Sequence, residues 1–178
     1  MKHDICKTYK NIKLRAIETK DLENLRVWRN DGTTTLKYLS KIDYITPEAQ
    51  LGWYNRDLEN QNSYTFAIEE TEELKRLIGS TALYNFNNDT AEFGRILIGD
   101  DAARGRGWGV LATSVCLHIG FSVFDLTGIV AYVHEDNLAA WKAYEKCGFE
   151  VTGKRDDELE IFIAKEMFYK TNSFMEGI

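Results

Sequence analysis

The sequence is poor in cysteine and proline, contains no long apolar run and has no excess of positive charge. Each shortage excludes something. Its three cysteines, Cys6, Cys116 and Cys147, are an odd number without CxxC spacing, which argues against a disulfide framework or a cysteine zinc site. Cys116 and Cys147 read instead as buried free thiols. No stretch approaches the roughly 18 apolar residues of a membrane helix. The start, Met1-Lys-His-Asp-Ile-Cys-Lys-Thr-Tyr-Lys10, is too polar for a secretory signal, so the expected setting is the cytoplasm, away from membranes. Lys and Arg number 22 against 28 Asp and Glu, a net charge of −6, which excludes a generally basic, nucleic-acid-seeking surface but not a local basic site. With one proline, Pro47, and 13 dispersed glycines there is neither linker nor repeat, and 178 residues fit a single domain.

What is present is an alternation of strands and helices. A strand fits Ile12–Ile17, and Thr19 offers an N-cap oxygen for a helix through Leu22, Leu25 and Trp28. Thr46-Pro47 opens a second helix, expected to carry Leu51, Tyr54 and Leu58 on one face. Tyr64–Ile68, Leu77–Tyr84 and Ala91–Ile98 read as a strand meander. Glu69-Glu-Thr-Glu-Glu73 reads as a solvated turn and Asn85-Phe-Asn-Asn-Asp89 as turn chemistry. Beyond residue 100, Trp108, Leu111, Val115 and Ile119 recur at helical spacing. Gly128–Val133 follows as a strand, Asn137–Cys147 as a helix closed by Gly148, and Glu158–Phe168 as a final strand. The fold class is α/β or α+β: a mixed central sheet with helices on both faces.

Arg104-Gly-Arg-Gly-Trp-Gly109 lies between a strand and a helix. Its glycines permit tight turning and close approach of a ligand, and the first helical turn offers free N–H groups, so an anion such as a pyrophosphate is the natural occupant. Two better-known loops fail. A dinucleotide fingerprint starting at Gly105 needs glycine where Val110 stands, and no GK[ST] exists for a Walker A loop. There is no GxSxG either.

The second motif is Asn137-Leu-Ala-Ala-Trp-Lys-Ala-Tyr-Glu-Lys-Cys-Gly-Phe149, in which Asn137 and Tyr144 stand two helical turns apart. Together, R-x-x-G-x-G after a strand and N-x-x-A-x-x-x-Y-x-x-x-G-F about thirty residues later resemble the GNAT family of acyl-CoA-dependent N-acetyltransferases. The resemblance spans residues 10–168 as one domain, leaving 1–9 and 169–178 as terminal extensions. It implies a splayed mixed sheet with acetyl-CoA in the cleft and no metal. Its pyrophosphate would rest on the backbone amides of Arg104, Gly105, Arg106, Gly107, Trp108 and Gly109, with the Trp108 ring itself read as core. The pantetheine arm would pair with Ile96-Leu97-Ile98, Asn137 would hold its side, and Tyr144 would lie near the sulfur. Homodimerisation is common among such relatives.

Acetyl transfer to an amine requires deprotonation of an ammonium whose pKa is roughly 10. It also needs an N–H donor for the developing oxyanion, which a bulged strand end near Leu97 would supply, and a proton for the departing thiolate, which falls to Tyr144. Glu92 and Glu135 are the candidate bases, either of which is also explicable as a strand-edge charge. His118 and His134 read as structural or surface residues. For the acceptor, the resemblance points to residues 20–60. Leu25-Arg-Val-Trp-Arg-Asn30 is similar to a segment of acetyltransferases acting on UDP-linked 4-amino sugars, making Arg26, Trp28 and Arg29 candidate substrate contacts; the alternative is a core Trp28 with arginines in water. The ribosomal-protein N-terminal subgroup, polyamine enzymes and antibiotic-modifying enzymes share the architecture. A non-catalytic acyl-CoA sensor is the alternative of another class.

Overall fold

The computed structural model describes residues 2–31 and 44–177. Eight strands form one sheet: β1 (Lys7–Tyr9), β2 (Ile12–Ala16), β3 (Ser63–Glu70), β4 (Arg76–Asn87), β5 (Thr90–Ile98), β6 (Gly128–His134), β7 (Glu150–Arg155) and β8 (Glu158–Ala164). Five helices accompany them: α1 (Leu22–Asn30), α2 (Pro47–Glu59), α3 (Trp108–Ser122), α4 (Leu138–Cys147) and α5 (Lys165–Thr171). The sheet order is β1-β2-β3-β4-β5-β6-β8-β7, antiparallel except at β5–β6. That parallel pair holds register only over Thr90↔Gly128, Ala91↔Ile129 and Glu92↔Val130. Beyond Glu92 the strands part, and the sheet splays.

Helices cover both faces. On one, the nearly all-buried α3 packs with α4 and α5 over Phe66, Ile78, Leu83, Phe93, Ile129 and Ile161. On the other, α1 and α2 cover a smaller core of Ile17, Leu22, Leu25, Ala67 and Leu77. Thr46 caps α2 as expected, its Oγ1 accepting from the Ala49 amide, and Pro47 occupies the first turn. Gly148 ends α4 at φ 101°, the left-handed conformation anticipated for it. The β4–β5 hairpin turns at Asn88-Asp89, with Asn88 at φ 52°; Asn85, also at φ 52°, lies instead inside β4 at an irregularity of the ladder, so the expected turn over 85–89 is shorter than its sequence suggests.

Several expectations need correction. Thr19 does not cap α1: it opens a single 3₁₀ turn, Thr19–Asp21, held by a reciprocal Glu18–Asp21 box, and α1 follows directly from Asp21, which is buried and gripped by both terminal nitrogens of Arg15 at 2.6 and 2.9 Å. Of the face expected for α2, Tyr54 and Leu58 are partly buried, but Leu51 is 47% exposed; the inward side runs instead through buried Gln50 and partly buried Trp53. The last strand stops at Ala164, where the Lys165 amide turns to the Thr127 carbonyl and α5 begins. Glu70 is no solvated turn residue: it is fully buried at the end of β3. Burial works to raise its carboxyl, but the amides of Glu72, Glu73 and Leu74 and the Asn11 side chain hold it down at about 2.

Candidate active site

The β4–β5 ladder slips where it matters. Ser80 pairs with Leu97 and Ala82 with Gly94, so Arg95 and Ile96 together oppose Thr81. Arg95 sits at φ 53°. This β-bulge re-aims the end of β5 and removes part of its backbone from the ladder. Gly79 makes the approach possible: a Cβ there would fall 2.0 Å from the Leu97 carbonyl oxygen.

Two cavities of about 300 Å³ each flank this strand end and share Leu97. One is an apolar trough between Ile96-Leu97-Ile98 and the helices. Its far wall is built from small residues, Gly109 and Thr113 of α3 and Ala139, Ala140 and Ala143 of α4, with Tyr144 at one end and Arg104 beside it. Tyr144 is buried against Phe93 and Phe149, with ring centroids at 5.7 and 5.8 Å. Burial, with Cys147 adding to it, pushes its phenol well above the ordinary tyrosine range. The other cavity lies between α1, α2 and the sheet, walled by Leu25, Ile45, Trp53 and Leu97 and carrying Arg29, Arg56 and Arg95.

At the mouth of the trough, Gly105 and Gly107 adopt φ 73° and 78°, and a Cβ on either would meet nothing within 4 Å. Backbone conformation therefore demands glycine, and the space above the loop is open to a ligand. Gly107 is the N-cap of α3, so the first amides of that helix face outward unbonded. Arg104 pairs with Asp101 and reaches the carbonyls of Ile98 and Gly99. Arg106 pairs with Glu73 at 2.5 Å and lies over the Trp108 ring, which is 7% exposed and part of the core.

The structure thus gathers Ile96, Leu97, Ile98, Arg104, Gly109 and Tyr144 around one trough. It does not align Asn137 with Tyr144. Asn137 is the N-cap of α4 at φ −84°, ψ 63°, outside the helix, and its Oδ1 accepts from the Ala140 amide at 3.2 Å. Helical spacing does not apply to it. Glu92 receives the Tyr84 hydroxyl at 2.5 Å and the Asn85 amide at 2.8 Å, at the point where β5 and β6 part. Glu135 lies apart from both cavities, exposed and paired with Lys154 at 2.5 Å.

The three acceptor candidates separate. Arg26 is held by Glu23, the Tyr44 hydroxyl and the Ile45 carbonyl and does not line the cavity. Trp28 packs on Gly99, where a Cβ would come within 2.1 Å of the ring. Only Arg29 reaches the cavity. Residues 32–43 of the stretch expected to set specificity lie outside the described residues. Arg56 and Arg95, missed in the sequence, join Arg29; the break in alternation at Gly94-Arg95 within an otherwise regular strand was the available hint. Buried His118 faces the Tyr169 hydroxyl at 3.3 Å and His134 bonds Asp157 at 2.9 Å, neither on a cavity wall. Among the described residues there is no cluster of three or more His, Cys, Asp or Glu that could hold a metal, and no helix long and apolar enough to cross a membrane.

Comparisons with known proteins agree with this architecture. The chain is similar to spermidine N(1)-acetyltransferase of Vibrio cholerae, 27% identical over 150 residues, 83% of this chain and 84% of that one. The crystal structure of spermidine N-acetyltransferase from the same organism, in complex with CoA and spermine, superposes with a TM-score of 0.78 at 24% identity, covering 89% and 98% of the two chains. The Campylobacter jejuni N-acetyltransferase PseH gives 0.69 at 18% identity, covering 88% and 99%, a likeness of fold alone. These curated relatives are spermidine enzymes, and they lend no support to the expected kinship with the ribosomal-protein or UDP-amino-sugar subgroup. A family model described as an acetyltransferase (GNAT) domain matches residues 11–150, and the chain belongs to the GNAT acetyltransferase family.

Proposed function

We propose that the protein transfers an acetyl group from acetyl-CoA to the primary amine of a small molecule, by direct attack within a ternary complex. The observation that carries this reading is the meeting of two cavities at Leu97, on the bulged end of β5. The open glycine loop and the unbonded amides at the start of α3 fit a pyrophosphate. The narrow, alanine-lined trough fits a slim aliphatic arm whose amides find partners on Ile96–Ile98. Acetyl-CoA supplies the activated acyl group.

The chain's own residues then divide the work. The bulge presents backbone N–H to the carbonyl oxygen as it gains charge. Tyr144, protonated at neutral pH as any phenol is, donates to the sulfur as the C–S bond breaks. Glu92 is the better placed base: its partner Tyr84 lies 4.1 Å beneath the Arg95 guanidinium that lines the second cavity, whereas Glu135 is committed to Lys154. The amine's proton passes to Glu92 directly or through water.

Kinship with the spermidine enzymes puts spermidine first on the amine panel. The test is thiol release from acetyl-CoA by wild type and Tyr144→Phe. The variant is expected to lose about 10²–10⁴ in kcat while its CoA affinity and melting temperature hold. Full activity in the variant removes Tyr144 as the acid. CoA binding without turnover on any amine favours the sensor.

A further inference from the structure

We propose that the second cavity recognises an anion, so that the amine acetylated here also carries a carboxylate or phosphate group, engaged by Arg29, Arg56 and Arg95 while the amine reaches Leu97. The inference rests on the ternary-complex reading above and names its acceptor class.

Three arginines line this cavity from three elements, α1, α2 and the β5 bulge, and no Asp or Glu lines it among the described residues. That is unusual within this acidic chain. Elsewhere Arg15, Arg26, Arg76, Arg104 and Arg106 each hold a carboxylate. Arg95 has instead the Tyr84 ring and the Ser63 hydroxyl, at 3.2 Å. Asp57 accepts from that same hydroxyl but lines a different cavity. The Arg29 Nε is buried with no hydrogen-bond partner. A charged group whose Nε is withdrawn from water without an acceptor is costly, and an anion in the cavity would satisfy it. Burial, reinforced by the nearby Arg95 charge, lowers the Arg29 pKa, as expected for like charges held together without a counter-ion.

The planar fork of arginine matches a carboxylate or phosphate with two parallel bonds. Gln50 and Ser80 add neutral polar groups, and Leu25 and Trp53 supply an apolar wall for the body of the molecule. A polycation would bring positive charge against three positive charges, so spermidine is expected to be a poor substrate despite the kinship.

The test uses the full chain and matched amines: phosphoethanolamine against ethanolamine, γ-aminobutyrate against its amide, and spermidine. In parallel, inorganic pyrophosphate and succinate are titrated into the CoA-saturated protein, with tryptophan fluorescence reporting through Trp53. The anionic member of at least one pair is expected to win in kcat/KM. Arg29→Met and Arg95→Gln, each confirmed folded by thermal unfolding, should lower that value by about 10- to 100-fold, as for a lost hydrogen bond to a charged group. The phosphate and carboxylate arms tell the two anion chemistries apart. Preference for spermidine or the uncharged amines, raised further in Arg29→Met, overturns the proposal. If no amine is acetylated, the ternary-complex reading fails, yet anion binding abolished by Arg29→Met still supports the site. If neither anion binds, or both bind equally well to the variants, the site is refuted whatever the turnover.

Discussion

Arg29→Met should make the ligand-free protein more stable, because it removes a buried donor that nothing in the fold satisfies. An unsatisfied buried donor costs about 1–3 kcal/mol, and more when charged. Methionine keeps the unbranched stem, matches arginine in helix propensity and suits the apolar surroundings of Leu25 and Trp53. Arg29 is only partly buried, so the lower half of that range applies, and repulsion from Arg95 adds to it. For a chain of this length each kcal/mol moves the melting temperature by about 2–4 °C, so a rise of about 2–8 °C is expected. Differential scanning calorimetry on the apo protein measures it, with Arg56→Met, on an exposed side chain, as a control expected near zero. A bound anion should reverse the order. At a hundred times its Kd it stabilises the wild type by about 2.7 kcal/mol, more than the variant's apo advantage, and leaves the variant where it was. A fall of 2 °C or more in apo Arg29→Met would refute the reasoning, since the guanidinium would then have a partner worth keeping.

Other consequences are equally open to measurement. Glu70→Gln turns an amide N–H₂ toward backbone donors that now bond a carboxylate oxygen, and should cost about 3 kcal/mol in urea unfolding at pH 7. Because the folded Glu70 carboxyl sits at about 2, below its usual 4.5, its stabilisation is complete above pH 4.5 and disappears as pH falls toward 2. The wild-type advantage over Glu70→Gln should shrink across that window, and a pH-independent difference would exclude the clasp. Gly99→Ala drives a methyl group into the Trp28 ring and should cost about 1–3 kcal/mol, with a shifted tryptophan emission; an unchanged spectrum would mean that α1 does not rest on Gly99. In the native protein a thiol dye should count one fast thiol, Cys6, and three in denaturant. Cys116 and Cys147 are buried, and burial pushes the Cys147 thiol up to about 11. Two fast thiols would contradict that packing.

The parts of this molecule that depend on local chemistry were legible in the sequence. The Thr46-Pro47 start, the Gly148 stop, the asparagine turn and the glycine loop each rest on a conformation that few residues adopt. What failed depends on distant partners. Asn137 looks helical by spacing but is a cap, a difference of one residue that redirects its side chain. Glu70 looks like one more charge in an acidic run, and only the turn closing around it makes it a buried acceptor. The edge strand β7, Glu-Val-Thr-Gly-Lys-Arg, has no buried face to produce an alternating pattern. Likewise, Arg56 and Arg95 lie far apart in sequence, and nothing in either neighbourhood announces that they share a cavity with Arg29.

The short parallel joint at β5–β6 has a consequence for how the molecule holds together. Among the described residues, three ladder pairs, with Thr127 bonded to Asp89 just before them, join the meander β1–β5 to the unit β6–β8–β7, and α3 braces the joint from one side. Past Glu92 the edge of β5 is an open strand inside a folded protein, the kind of surface that otherwise recruits another chain. An extended ligand lying there, as the proposed reading requires, would act as a ninth, removable strand. It would zip the two halves along their free edges when present and leave a hinge line when it departs.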